Sequence, residues 1–150
     1  MAVNVNSFIA DVLFFIKTDL LANITDPKQA SRPSKSKFIA TSYPKNQVVY
    51  PMITLKVPNK ESTRAGMQTV AMDIIVQVEV RVWATNQKDK DGITDKVYDR
   101  LRNIQFITGG SIDNNLHDFQ ELSNVEVEED GDLGIKSRIL TVQYKFFNVN

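Results

Sequence analysis

The sequence predicts one α+β domain in which two helices pack on a mainly antiparallel sheet, in the order α-β-β-α-β-β. Two segments carry apolar residues at helical spacing, and a long segment ending at Val82 is apolar at every second position. A third observation is an Asp-Gly reversal that precedes another alternating segment near the C-terminus. A length of 150 residues suits a single domain.

The first helix is predicted from Phe8 to about Asn23. Asn6 or Ser7 offers an N-cap, and the Asp26-Pro27 pair disfavours helical geometry beyond the end. Apolar residues recur at every fourth position, as Phe8, Val12, Ile16 and Leu20. This spacing is typical of an amphipathic helix.

Residues 25–51 read as a long basic loop, because prolines and serines alternate there with lysines and Arg32. A connection of this length inside a compact domain is usually functional or disordered. Phe38, Ile39 and Tyr43 could hold part of it in a short strand. Its lysines could contact nucleic acid through phosphates, but the loop lacks a recognised binding motif and a solvated loop is favoured.

Two strands are predicted next. Residues 52–57 form the first, which Pro58-Asn59 should close, and residues 70–82 form a long second strand with one apolar face. Ile75 and Trp83 are apolar exceptions on the charged face of the second strand. They indicate either a second packed face or an interface.

The C-terminal half predicts a second helix and a closing hairpin. After a polar turn over residues 86–92, a helical stripe is formed by Ile93, Val97, Leu101 and Ile104. A weaker strand follows, in which Leu122 is out of phase and indicates a bulge or two pieces. The return strand alternates at Leu140, Val142, Tyr144 and Phe146.

Composition excludes several kinds of chemistry. Eighteen basic residues balance eighteen acidic ones, which gives no reason to expect nucleic acid or an anionic membrane as the main partner. The absence of cysteine excludes disulfides, thiolate nucleophiles and cysteine-bound metals. The N-terminus has no basic leader, and Asp11 interrupts its apolar stretch, so we expect neither a secretion signal nor a membrane span.

No catalytic or cofactor motif is present in the sequence. His117 is the one histidine, with no second histidine or cysteine to share a metal, and is expected at the surface. The acidic residues around Asp130 miss the spacing of a calcium loop, so a solvated hairpin is favoured. No glycine belongs to a phosphate-binding or dinucleotide-binding motif. We therefore expect no metal, no cofactor and no enzymatic activity, and a protein that works by binding other proteins.

The arrangement resembles the tail terminator proteins of tailed bacteriophages. The resemblance rests on the entry Tyr50-Pro51-Met52-Ile53-Thr54-Leu55 after a Pro-rich loop, and on the long strand that reaches Val82-Trp83-Ala84. A helix like residues 91–103 and a closing hairpin like residues 125–147 complete it, so the likeness covers most of the chain.

The resemblance implies a ring, usually of six copies, that caps the finished tail tube and stops its polymerisation. It also implies contact with the tail tube protein and with a head-side connector in the neck of the virion, after assembly in the host cytoplasm. DNA would only pass through the lumen of the ring, and no membrane is involved.

In such a ring, opposite charges on different flanks of one subunit could meet across each interface. The candidate interface residues on the basic loop are Arg32, Lys35, Lys37 and Tyr43, and those on the acidic hairpin are Glu128, Glu129 and Asp130. Trp83 could meet a neighbouring subunit, and Arg64 lies in a connection that could face the lumen or the tube.

Two alternatives remain open. Another neck component, such as a head-completion or connector protein, would share the small α+β construction and bind on the portal side. A small-molecule-binding or enzymatic α+β domain would instead show a concave pocket with converging polar groups, for example opposed acids near His117.

Overall fold

The computed structural model describes residues 7–33, 36–45, 48–67, 71–106, 116–127 and 134–148. In chain order its elements are α1 (Phe8–Asn23), β1 (Ile39–Ala40), β2 (Met52–Arg64), β3 (Met72–Ala84), α2 (Gln87–Ile104), β4 (Leu116–Val127) and β5 (Lys136–Asn148). The five strands form one sheet in the order β1-β2-β3-β5-β4, and β1 alone among them pairs in parallel. The predicted α+β class is confirmed.

Strand β3 is the centre of the sheet. It pairs along its whole length with β5, from Met72 opposite Asn148 to Ala84 opposite Lys136. On one face its side chains are almost completely shielded from solvent: Ile74, Val76, Val78, Val80, Val82 and Ala84. The alternation predicted from sequence is confirmed from residue 72 onward, and Val70 lies outside the described residues.

Both helices cover this apolar face. Helix α1 buries Val12, Ile16 and Leu20 against the part of the sheet that holds β1 and β2, and α2 buries Val97 and Leu101 over β3 and β5. The helical stripes predicted from sequence are therefore the faces that form the core.

Polar contacts fix the two helices relative to each other and to the sheet. Arg100 of α2 donates twice to Asp19 of α1, with Nη2 2.6 Å from Oδ1 and Nε 3.1 Å from Oδ2. Beneath them, the hydroxyl of Tyr144 donates to the backbone carbonyl of Leu101. Burial raises the pKa of Tyr144 well above its usual value, and the nearby charge of Asp19 adds to the effect, so the phenol remains a donor.

The prediction that the strand over residues 52–57 ends at Pro58-Asn59 is wrong, because β2 continues to Arg64. Its pairing with β3 shifts register between Lys56 and Asn59, and this irregularity accommodates Pro58, which has no backbone N–H to donate.

The polar turn expected over residues 86–92 is also wrong, since α2 begins at Gln87. Asn86 is the N-cap, and its side-chain oxygen accepts a hydrogen bond from the backbone N–H of Asp89 at 2.8 Å. The polar residues after Asn86 form the solvent side of the first helical turns.

The irregularity expected near Leu122 is confirmed. The pairing of β4 with β5 shifts register between Glu121 and Ser123, and a second shift lies between His117 and Gln120. Asp118 has a positive φ of 56° at this second shift. The short strand expected within the basic loop is present as β1.

A charge network around the buried Lys90 ties the start of α2 to β4 and β5. The side chain of Lys90 is fully buried, and its ammonium group contacts the Glu126 carboxylate and lies 3.6 Å from Oδ1 of Asp91. Arg138 Nε donates to the same Asp91 oxygen at 3.2 Å, and its Nη1 donates to Oδ1 of Asn124 at 2.9 Å. The network joins α2, β4 and β5 on the helix-covered side of the sheet.

Replacement of Lys90 by methionine should change the free energy of unfolding by less than about 1 kcal/mol, because a buried ion pair often contributes no more than an apolar residue of similar size. Glu126→Ala should cost about 2 kcal/mol, because it leaves the buried ammonium with Asp91 alone. Urea unfolding monitored by circular dichroism measures both.

The double variant Lys90→Met/Glu126→Ala should recover most of the loss, since no buried ammonium then remains without the Glu126 carboxylate. A larger loss for Lys90→Met than for Glu126→Ala would contradict this account.

Candidate functional site

The face of the sheet opposite the helices has no element over it in the part of the chain that the structure describes. Register places four amide side chains side by side across four strands, namely Asn59, Gln77, Gln143 and Gln120. The neighbouring row is also polar, with Lys56, Glu79, Thr141 and Ser123. Most of this face therefore suits contact with water or with a polar surface.

One end of this face carries an aromatic cluster around Trp83. The indole Nε1 donates to Oγ1 of Thr54 at 3.2 Å, and the guanidinium carbon of Arg81 lies 3.8 Å from the indole ring centroid. The ring of Tyr43, from the basic loop, lies with its centroid 5.0 Å from that of Trp83. Trp83 thus packs against its own chain, while Tyr43 is 47% exposed.

The aromatic cluster borders an open groove of about 200 Å³. Within it, Lys56 and Glu79 form an ion pair, with Nζ 2.8 Å from Oε2. The groove thus presents cationic, anionic and aromatic side chains, among them Lys56, Glu79 and Trp83.

Arg32 is placed inside the loop by its own contacts. Its Nε lies 2.6 Å from Oδ2 of Asp26 and its Nη2 lies 2.9 Å from Oδ1, which makes a two-pronged ion pair. Nη1 and Nη2 also donate to the backbone carbonyls of Val49 and Pro51, at 2.8 and 2.7 Å, and the guanidinium lies over the ring of Phe38. With 6% of its side chain exposed, Arg32 joins the two ends of the loop through these contacts.

The remaining predicted interface residues do not converge on one place. Lys37 is exposed just before β1. Strand β2 begins at Met52, which pairs with Trp83, and ends at Arg64, which is exposed. Eleven residues of extended strand separate those two ends by about 35 Å. Lys35, Glu128, Glu129 and Asp130 lie outside the described residues.

Topology places β1, which belongs to the basic loop, and β4, which precedes the acidic residues in sequence, at opposite edges of the sheet. This placement was not readable from sequence, because it depends on β5 inserting between β3 and β4.

His117 is exposed on β4, as expected, and lines an open groove of about 370 Å³. The walls of this groove include one acid, Asp73, together with Thr63 and Lys145. The pair of opposed acids that would favour an enzyme is not found on these walls, and the described residues contain no cluster of three potential metal ligands.

The outer side of α1 is a surface that the sequence reading missed. Phe14 is 57% exposed and Leu21 is 52% exposed, although both are large apolar residues. The signal was present in the run Leu13-Phe14-Phe15-Ile16, because four consecutive residues at 100° per residue cannot all face the core. Neither α1 nor α2 has the length and apolar character required to cross a membrane.

Comparison with known proteins gives a match in fold alone. No protein family matches the sequence, and no curated protein sequence matches it. Among solved structures, the chain is similar to a chain in the virion of a native gene transfer agent particle, with a TM-score of 0.60 and 10% sequence identity. The match covers 89% of this chain and 92% of that chain, so the whole fold is shared.

Arg32→Lys should lower the free energy of unfolding by about 2 kcal/mol, because lysine cannot form the two-pronged ion pair or reach both carbonyls. The hydrogen bond from Arg32 lowers the pKa of Asp26, and this outweighs the opposing effect of burial. The variant should therefore show a higher Asp26 pKa in a carboxyl-detected NMR titration.

The pH dependence follows from the same contact. Because the pKa of Asp26 in the folded state is depressed, its contribution to stability is complete above the ordinary pKa of 3.8 and is lost as pH falls through the folded-state pKa. Arg102→Lys, in an exposed ion pair with Asp99, is the matched control and should leave stability unchanged. Equal losses in the two variants would contradict the assigned role of Arg32.

Proposed function

We propose that this chain is a structural protein of a virion, and that it works by assembling with copies of itself and with other virion proteins. The observation that carries the proposal is the fold shared over nearly the full length with a chain of a gene transfer agent virion. At 10% identity the likeness concerns fold, so the assignment of function is our inference.

The narrower role that we propose is that of a tail terminator. In this role a six-fold ring caps the tail tube, stops its polymerisation and offers a surface to the head-side connector. The support comes from the resemblance carried by residues 50–55, by the strand that reaches Trp83 and by the closing hairpin. The polar uncovered face and the long β2–β3 ladder are consistent with large contacts to other proteins.

A head-to-tail ring requires two different surfaces on separate flanks of each subunit. The flank at β1 exposes Lys37, Tyr43 and Lys45, and the flank at β4 exposes Glu121. Opposite charges at these two edges support the proposal that the basic loop of one subunit meets the acidic hairpin side of the next.

The flank at β4 also provides apolar contact area. Val125 is 55% exposed and Leu122 is exposed at the bulge. Apolar residues of this kind, surrounded by charge, are typical of the mixed composition of protein interfaces. Trp83 would contribute to the interface indirectly, because it packs against Tyr43, which is exposed at the flank near β1.

We propose binding as the whole mechanism, with no catalytic step and no cofactor. The rival role as a different neck component rests on the same likeness to a virion chain, so it is an outcome of the experiment below. The rival role as an enzyme would need the converging acids that the groove beside His117 lacks on its described walls.

The test combines the purified protein with tail-tube subunits from the same source, followed by negative-stain electron microscopy. Six-fold rings at the ends of tubes of limited length are expected. If portal complexes capture the protein and tube length does not change, the protein is a head-side neck component and not a tail terminator. No effect on tubes and no capture would overturn the virion role.

The proposed charge contact has its own variant. Lys35→Glu/Lys37→Glu should prevent ring formation, because it places acid against acid at each subunit contact. Lys96→Glu/Lys88→Glu makes the same change of charge on the exposed side of α2 and should leave rings intact. Normal rings from the Lys35/Lys37 variant would remove the charge contact from the proposal.

A further inference from the structure

The side of α1 that faces away from the core carries one continuous row of residues, here called the outer stripe. Its members are spaced by four, three and four residues: Ala10, Phe14, Lys17 and Leu21. This spacing places them on one side of a helix and equals the spacing of a helix-pairing seam.

The outer stripe differs from the outward side of α2 in the same layer. Helix α2 presents charged residues to solvent, including Asp95, Lys96 and Asp99. Helix α1 presents Phe14 and Leu21, each more than half exposed. Covering these two half-exposed apolar side chains is favourable.

We propose that the outer stripe binds the outer stripe of a second copy of this chain, with the two α1 helices antiparallel about a two-fold axis. When the axis passes midway between Phe14 and Lys17, the numbers of two residues that face each other add up to 31. Ala10 then faces Leu21, so a small side chain receives a large one.

The same register pairs the two central residues favourably. Phe14 faces Lys17 of the partner, which places an ammonium group against an aromatic face. A parallel pair would place Lys17 against Lys17 and would repel. The self-complementarity of charge and size in one orientation is the reason for choosing a second copy as the occupant.

The contact is expected to be weak. A helix of 16 residues is about 24 Å long, and one helix pair buries less than the roughly 800 Å² per partner of a standard stable interface. The pair should therefore form at high protein concentration and separate on dilution. It is independent of the proposed head-to-tail contact, which uses the two sheet edges.

Cysteine crosslinking tests the orientation directly, because the parent chain contains no cysteine. Ala10→Cys and Leu21→Cys are prepared separately, mixed at high concentration and oxidised. The mixture should yield mixed covalent dimers quickly. Ala10→Cys alone should not, since two copies of position 10 would lie about 16 Å apart along the pair, beyond disulfide reach.

Lys96→Cys, on the exposed side of α2, measures crosslinking by random collision. Crosslinking of Ala10→Cys with itself at the rate of the mixture would overturn the antiparallel register. A mixture no faster than Lys96→Cys would overturn the contact altogether, whether or not rings form on tubes.

Sedimentation equilibrium gives the strength of the contact. The parent should show a concentration-dependent monomer–dimer equilibrium, and Phe14→Glu should weaken it at least tenfold, while urea unfolding confirms that the variant is folded. A parent that remains monomeric up to about 1 mM, or a dimer that Phe14→Glu leaves unchanged, would overturn the proposal. Rings without the α1 pair would leave the proposed function standing.

Discussion

Burial of one face of β3 is the constraint on which the rest of the structure depends. Its valines and Ile74 need cover along nearly the whole strand, and that cover is provided by α1 and α2 lying side by side. The Asp19–Arg100 ion pair holds the helices in that arrangement, and the Tyr144 hydroxyl fixes α2 to the strand beside β3. Because both helices lie on one side, no helix or strand of the described residues covers the other face of the sheet.

The two edges differ in how they can be used. At one edge, β1 is two residues long and the Arg32 contacts hold the loop that carries it. At the other, β4 is long, but its register shifts twice against β5. Bulges and charges on an edge strand disfavour the simple addition of another strand. Contacts at this flank therefore depend on side chains, which agrees with a charged and specific subunit interface more than with open-ended sheet extension.

The sequence was most informative where local periodicity and burial coincide. The alternation in β3 and β5 and the stripe of α2 were predicted because each residue's partner in the pattern lies two to four positions away. Pro58 was misread as a stop, since nothing local distinguishes a strand end from a bulge. No local sequence pattern predicts the network around Lys90 or the contacts from Arg32 to Val49 and Pro51, because they join residues far apart in sequence. The exposed apolar residues of the outer stripe of α1 could have been predicted from the run of apolar residues 13–16, but they were assigned only to a helix.

The two proposed contacts have different symmetry, and this limits how they can combine. A head-to-tail contact through the sheet edges generates a closed ring, whereas a two-fold contact through α1 joins surfaces of the same kind. Where the two-fold axis lies perpendicular to the ring axis, the two contacts together would pair two rings through their α1 sides. A tube or connector that binds that side would compete with the pairing for Phe14 and Leu21. Because one helix pair is a small interface, a larger ring-to-tube contact would displace it. Before assembly, the pairing would shield the apolar surface at Phe14 and Leu21 that the ring-to-tube contact later covers.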